Sequence, residues 1–235
     1  MKPVAIVRHF RTEGPGYFAI YLERLGVPWR LVRVDSGEPM PRDISAYSGI
    51  AFMGGPMSVN DPLPWIDAAC RLIRSAVERE VPVIGHCLGG QLMAKALGSQ
   101  VTVASAKEIG WGEVEVLPGA EAEHWFGRDC RRFTAFHWHG EQFGVPSGAT
   151  VLLASPLCPN QAFCLGKHFG MQCHVEMTAE LVEAWCWSGA DEIAASTGPG
   201  VQSADSMQSD LDRRLAGLHV LADRIYARWT EGLVR

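Results

Sequence analysis

The chain lacks any apolar run approaching the ~18 residues that span a bilayer, and it has no charged-then-apolar leader, which predicts a soluble, cytoplasmic protein. It also lacks a basic stripe. Its 21 Lys and Arg face 26 Asp and Glu, and the net charge of −5 argues against a nucleic-acid surface. Paired cysteine spacing is missing too: seven cysteines, an odd number and scattered, fit a reducing compartment better than a disulfide framework. Cys70, Cys130, Cys158, Cys164, Cys173 and Cys186 do not form a compact four-ligand pattern and read as structural thiols. No compositional break separates two halves. A chain of 235 residues, 47% of them apolar, is expected to fold as one domain over 1–235 around one large core.

What the chain does have is alternation. Val4 to Val7, Trp29 to Val34, Ile50 to Met53 and Val81 to Gly85 are short runs rich in β-branched residues, and they read as buried strands. Helical periodicity falls between and after them, at Tyr17 to Leu25, Pro64 to Glu80 and Gln91 to Leu97. The expected fold is α/β, an open, mainly parallel sheet flanked by helices, of flavodoxin-like type. From Gln100 the runs shorten: Val101 to Ala104, Gly112 to Leu117, Thr134 to His139 and Val151 to Ala154 suggest a smaller, partly antiparallel extension. Val201 to Ser209 reads as a polar linker before a charged helix from about Asp210 to Trp229, within a C-terminal helical extension of about 205–230.

Cys87 lies between the fourth of these strands and its helix, in Gly85-His86-Cys87-Leu88-Gly89-Gly90-Gln91. Glycines on both sides allow a sharp turn and close backbone approach, and the helix start favours a thiolate. That is the arrangement of a nucleophile elbow with Cys in place of Ser. The competing reading is a small buried hydrophobe at a strand end. A Cys nucleophile needs a base and the base needs an orienting group. Phe163 to Glu176 reads as two apolar segments around a Gly166-Lys167 turn, the second ending at His174-Val175-Glu176. Residues two apart on an extended chain share a side, so Glu176 can hold the His174 ring and leave its other nitrogen for Cys87.

Together these residues resemble the class I glutamine amidotransferases, the triad glutaminases, in the manner of a stand-alone GMP-synthase-type glutaminase. Residues 85–91 are similar to the family's Gly-x-Cys-x-Gly-x-Gln elbow, His174-Val175-Glu176 to its His-Pro-Glu, and Met53-Gly54-Gly55-Pro56 to its Gly-Gly-Pro oxyanion loop. The resemblance runs from about residue 4 to 185. Two positions depart from the pattern. Val175 stands where proline is usual, which is expected to loosen the His174 backbone, and Gly90 stands where many members carry His.

The resemblance implies a hydrolase that cleaves the γ-glutamyl amide of glutamine through a Cys87 thioester and releases ammonia, possibly to a separate acceptor subunit. His174 would act as acid and base, and backbone N–H groups of Gly55 and Leu88 would serve the oxyanion. By the same resemblance Trp138, His139, Gly140 and Glu141 would approach the amino-acid end of the substrate, with Gln91 joining them. Glu141 suits an α-ammonium group. Phe136 to Phe143 also permits a half-buried strand with a solvated polar face. Its His137, His139 and Glu141 superficially resemble a metal site, a reading set aside for want of further ligands at obvious spacing. Neither metal nor organic cofactor is implied. The alternatives are a γ-glutamyl peptidase or hydrolase acting on larger conjugates, and a catalytically silent binding module. Arg8, His9, Arg11 and Glu13 lie just after the first strand, where they could rim the active-site edge, but read sooner as a solvated loop, and the dispersed tryptophans, Trp185 among them, as core or partner surface.

Overall fold

The computed structural model describes residues 1–234. Nine strands form one sheet: β1 (Val4–Arg8), β2 (Trp29–Arg33), β3 (Gly49–Phe52), β4 (Val83–His86), β5 (Val101–Val116), β6 (Arg132–Phe143), β7 (Thr150–Ala154), β8 (Ala162–Leu165) and β9 (His168–Met171). Their order across the sheet is β2-β1-β3-β4-β9-β8-β7-β5-β6. The first five in that order run parallel and every later neighbour is antiparallel. The α/β sheet with its parallel strands and an antiparallel extension is therefore what the alternation of strand and helix predicts, though the sheet as a whole is mixed, the antiparallel part being as extensive as the parallel one.

Burial on both faces explains the unbroken apolar runs. Val4 and Ile6 point into one core cluster, while Ala5 and Val7 point into the other. Helices α1 (Gly16–Arg24), α4 (Ala120–Phe126), α5 (Ala179–Ser188), α6 (Ala190–Ala195) and α8 (Leu211–Glu231) pack on the first side, and α2 (Ile66–Glu78) and α3 (Leu88–Ala96) on the second. The C-terminal helix α8 presents Leu215, Leu218, Ala222, Ile225 and Trp229 at helical spacing, and Trp229 and Tyr226 are fully buried. No described helix is long and apolar enough to cross a membrane.

Three expectations need correction. The two short strands predicted at Val101 to Ala104 and Gly112 to Leu117 are ends of one sixteen-residue strand, β5, whose pairing with β6 is interrupted by an irregularity between Val103 and Glu108. Polar residues around the irregularity hide the continuity, because a bulge breaks the period-two pattern. The linker at Val201 to Ser209 is ordered. It bridges to Ile109, forms the short helix α7 (Ala204–Gln208) and buries Met207. Finally, His174 to Glu176 do not continue a strand but follow β9 in an irregular segment.

The hairpin β8–β9 forms as predicted, with register Leu165↔His168. Its consequence was not visible in the sequence: β9 lies parallel to β4, so the segment carrying His174 emerges beside the strand carrying Cys87.

Candidate active site

Cys87 caps α3 with φ 50 and ψ −105, a backbone conformation that L side chains rarely adopt. The neighbouring structure holds it there. Its N–H donates to the Met171 carbonyl at 2.8 Å, which ties the elbow to β9. Gly89 and Gly90 are glycines for lack of room: a Cβ on Gly89 would collide with the Phe52 carbonyl, and one on Gly90 with the Met171 carbonyl. The missing His at position 90 is thus matched by a backbone that leaves it no space. An exposed helical Gly→Ala change normally stabilises. Here Gly90→Ala is expected to destabilise by about 1–3 kcal/mol, the range for overpacking, read as a lowered thermal midpoint.

His174 is 1% exposed and its Nδ1 lies 2.6 Å from Glu176 Oε1. Among the described residues its Nε2 has no nitrogen or oxygen partner, and it faces the Cys87 thiol. The replacement of proline by Val175 does not loosen this residue. His174 and Phe136 exchange both backbone hydrogen bonds, at 2.7 and 3.3 Å, and Val175 is fully buried. The Glu176 carbonyl accepts from the Tyr17 N–H at 2.8 Å, so the start of α1 anchors the other end. Burial works against an imidazolium at His174, but the Glu176 carboxylate and the Cys87 sulfur outweigh it and hold the ring's pKa well above the ordinary value. Burial would likewise raise the Glu176 carboxyl, yet His174 holds it at about 2. His86, on the elbow strand, lies 3.9 Å from the second Glu176 oxygen and 3.1 Å from the Tyr226 hydroxyl of α8.

These groups open into a cleft of about 750 Å³. Gly55, Gln91, Trp138, His139, Gly140 and Glu141 all line it with Cys87 and His174. Gly55 packs against Leu88, whose Cδ2 would lie 2.7 Å from a Cβ at that position, so the two predicted oxyanion donors belong to touching residues. Glu141 accepts from Ser58 Oγ at 2.9 Å. Gln91 is committed to protein groups: its amide nitrogen lies 3.4 Å from the Glu141 carbonyl and 3.2 Å from Gln172 Oε1, and Gln172 in turn lies 3.4 Å from Cys87 Sγ.

The His137 and His139 pair has a different carboxylate partner from the one the spacing suggested. Glu108, opposite His139 in the β5–β6 register, lies 3.1 Å from His139 Nε2, and with His137 the three bring ligand-type atoms within 4.8 Å of one another. Ser155 and Gln161 donate to the two Glu108 oxygens at 2.8 and 2.7 Å. Each oxygen thus accepts a hydrogen bond, and these contacts clamp Glu108 beside the two imidazoles. Burial would raise Glu108, but His139 and His137 hold it below the ordinary carboxylate range. His139 Nδ1 faces the Glu141 carbonyl at 3.1 Å, so the clamp fixes the strand that carries Glu141.

Two residues of the site were read otherwise from the sequence. Trp185, on α5, packs edge-on to His174 with ring centroids 4.7 Å apart and donates its indole N–H to the Thr12 carbonyl at 2.8 Å. The loop after β1 is only partly solvated: Phe10 and Arg11 are exposed, but the rest turns inward. Arg8 pairs with Asp35 at 2.9 Å, His9 is buried and stacks on Trp65, and Glu13 reaches the cleft. Its position just after a parallel strand, where open sheets place their sites, is the signal behind the alternative reading of this loop as a rim of the active-site edge.

A positive-φ cysteine at a helix start, a carboxylate-held imidazole and a cleft at the carboxyl ends of parallel strands thus meet on one α/β sheet. Residues 18–185 match the glutamine amidotransferase class-I family, and the chain belongs to it. A solved glutamine amidotransferase from Methylobacillus flagellatus superposes over 100% of this chain and 96% of its own, with a TM-score of 0.97 and 44% identity. The glutamine amidotransferase-like protein YfeJ of Salmonella typhimurium is 32% identical over 83% of this chain and 84% of its own length. More distant are γ-glutamyl peptidase 3 of Arabidopsis thaliana, 25% identical over 73% of each chain, and the glutamine-hydrolysing GMP synthase of Aeromonas salmonicida. The latter is 29% identical over 74% of this chain, which spans only 34% of that enzyme's length.

Proposed function

We propose that the chain hydrolyses γ-glutamyl amides, glutamine among them, through a thioester on Cys87. The observation that supports this most is the meeting, in one cleft, of Cys87 and the unpartnered Nε2 of a His174 that Glu176 holds at 2.6 Å. The thiolate attacks the γ-carbonyl carbon, a C–S bond forms, and the electron pair moves onto oxygen, where the N–H groups of Gly55 and Leu88 receive it. On collapse the C–N bond breaks and His174 gives its proton to the departing nitrogen. Water then passes a proton to His174 and adds to the thioester carbon. The C–S bond breaks, thiolate and imidazolium return, and the acid ionises to glutamate. Glu141 receives the α-ammonium group, with Trp138, His139 and Gly140 beside it and Gln91 holding the Glu141 carbonyl in place.

Ammonia from glutamine would pass to an acceptor on a separate subunit, as the likeness to longer GMP synthases suggests. A second reading, cleavage of γ-glutamyl conjugates, is favoured by the size of the cleft, which suits a drug-sized ligand better than a lone amino acid. All seven cysteines are free thiols, in keeping with a reducing, cytoplasmic setting.

Alkylation tests the nucleophile and substrate profiling tests the reading. Burial raises the other six thiols, Cys158 to about 11 and Cys164 to about 12, so limiting iodoacetamide at neutral pH should label Cys87 first and stop hydrolysis in proportion. Ammonia release from glutamine and amine release from a γ-glutamyl dipeptide, measured side by side, separate glutaminase from peptidase. Full activity after stoichiometric Cys87 labelling would remove the thioester from the scheme.

A further inference from the structure

The cleft carries more negative charge than the glutamyl end of a substrate can use. Glu13, Asp61, Glu141, Asp191 and Glu192 line it, and the one lysine there, Lys107, is bound to Glu192 at 2.6 Å. Glu141 is engaged by Ser58, Asp61 by the Ser58 N–H, and Glu192 also by the Trp138 indole at 2.9 Å. Glu13 differs from these. Burial and the charges of His174 and Glu176 are what act on its carboxyl, with no hydrogen bond among them. Its Oε2 and His174 Cε1 crowd the same face of Gly54, so the carboxyl stands at the imidazole edge, where the leaving group must depart. Trp185 and the partly exposed Phe10 add aromatic surface to that end of the cleft. A carboxylate beside aromatic rings is a setting for an organic ammonium group, and it repels a carboxylate.

We propose that Glu13 is a specificity-determining residue, which selects γ-glutamyl amides whose leaving amine carries a second, cationic amino group, as a diamine does, over γ-glutamyl amino acids. The proposal rests on the γ-glutamyl hydrolase reading and names the leaving-group class of the same site. Burial raises the Glu13 carboxyl to about 7, and an ammonium group brought beside it favours the ionised form, so substrate binding would itself charge the selector. A carboxylate-bearing leaving group finds the opposite: a half-buried acid that stays protonated or repels it, and, among the described residues lining the cleft, a lysine already bound to Glu192.

The test compares three γ-glutamyl conjugates of similar length, with 1,4-diaminobutane, butylamine and 4-aminobutyrate, on the full-length protein. Wild type should show kcat/KM falling in that order, with about tenfold or more between the first and second, the size expected for one charge-assisted contact. In Glu13→Gln the cationic-to-neutral ratio should collapse towards one, whatever change in rate the two conjugates share. Asp191→Asn, on another element of the cleft, should leave most of the ratio intact. Calorimetric binding of the same three conjugates to Cys87→Ala protein should give the same order without turnover. Equal affinities and equal rates for the three, or a ratio unchanged in Glu13→Gln, would overturn the assignment of Glu13. Loss of the thioester reading looks different: the binding order would persist while hydrolysis ignores Cys87. Should Glu13→Gln not fold, Glu13→Asp, which retracts the carboxylate, must weaken the preference for the diamine conjugate.

Discussion

Cys87→Ala should lose on the order of 10⁴-fold or more in kcat for any γ-glutamyl amide, while folding normally. The side chain is small and lines the cleft, so its removal leaves no large core cavity. The backbone at this position makes a sharper expectation available. With φ at 50, residue 87 pays a steric penalty for carrying a Cβ at all, and glycine would not. Cys87→Gly should therefore be as inactive as Cys87→Ala but more stable than it by about 1 kcal/mol, a rise of about 2–4 °C in thermal midpoint for a chain of this size. Paired melting curves and single-turnover assays check both halves. A Cys87→Gly protein less stable than Cys87→Ala would mean that the elbow is relaxed, and that strain has no part in presenting the sulfur.

The elbow was legible in the sequence because everything that makes it is local. A buried strand, a helix start and the glycines between them lie within a dozen residues, and each leaves a mark: β-branched residues, the apolar spacing of α3, and Gly89 and Gly90 where no Cβ fits. The His174–Glu176 pair was legible for the same reason, being two residues apart. Long-range pairing was not. Nothing near His139 indicates that its carboxylate partner is Glu108, because that follows from the β5–β6 register across an irregularity. Gln172 reaches Cys87 only because β9 inserts beside β4, and Trp185 reaches His174 from a helix that begins beyond the hairpin. The loop at 9–13 was read as more solvated than it is for a related reason. Its polar composition suggests solvent, and only the packing of His9 on Trp65 and of Glu13 against Gly54 shows that it turns inward. Local chemistry thus marked Cys87 and the His174–Glu176 pair, while the residues packed around them depend on tertiary neighbours.

His174→Ala should lose more turnover than Glu176→Gln, by roughly 10–100-fold, because the first removes the proton carrier and the second only its orientation and charge. The same pair governs acid stability. Glu176 sits at about 2 in the folded chain against an ordinary carboxyl near 4.5, so it binds fewer protons folded than unfolded between those values. Its contribution is present above about 4.5 and disappears as the pH falls through about 2; for a shift of that size it amounts to about 3 kcal/mol, shared with His174. His174 has the opposite sign. With its folded pKa above the ordinary 6.5, its share is complete below 6.5 and is lost as the pH rises through the folded value. Glu176→Gln should therefore flatten the fall in stability between pH 5 and 2, and His174→Ala should do so as well while stranding a buried carboxylate. Of the two, His174→Ala should be the less stable at pH 7, since breaking a buried pair from one side leaves an uncompensated charge. Denaturant midpoints at pH 7, 5 and 3 for wild type and both variants measure this. Parallel pH curves for all three proteins would show that the 2.6 Å contact does not carry the ion pair assigned to it.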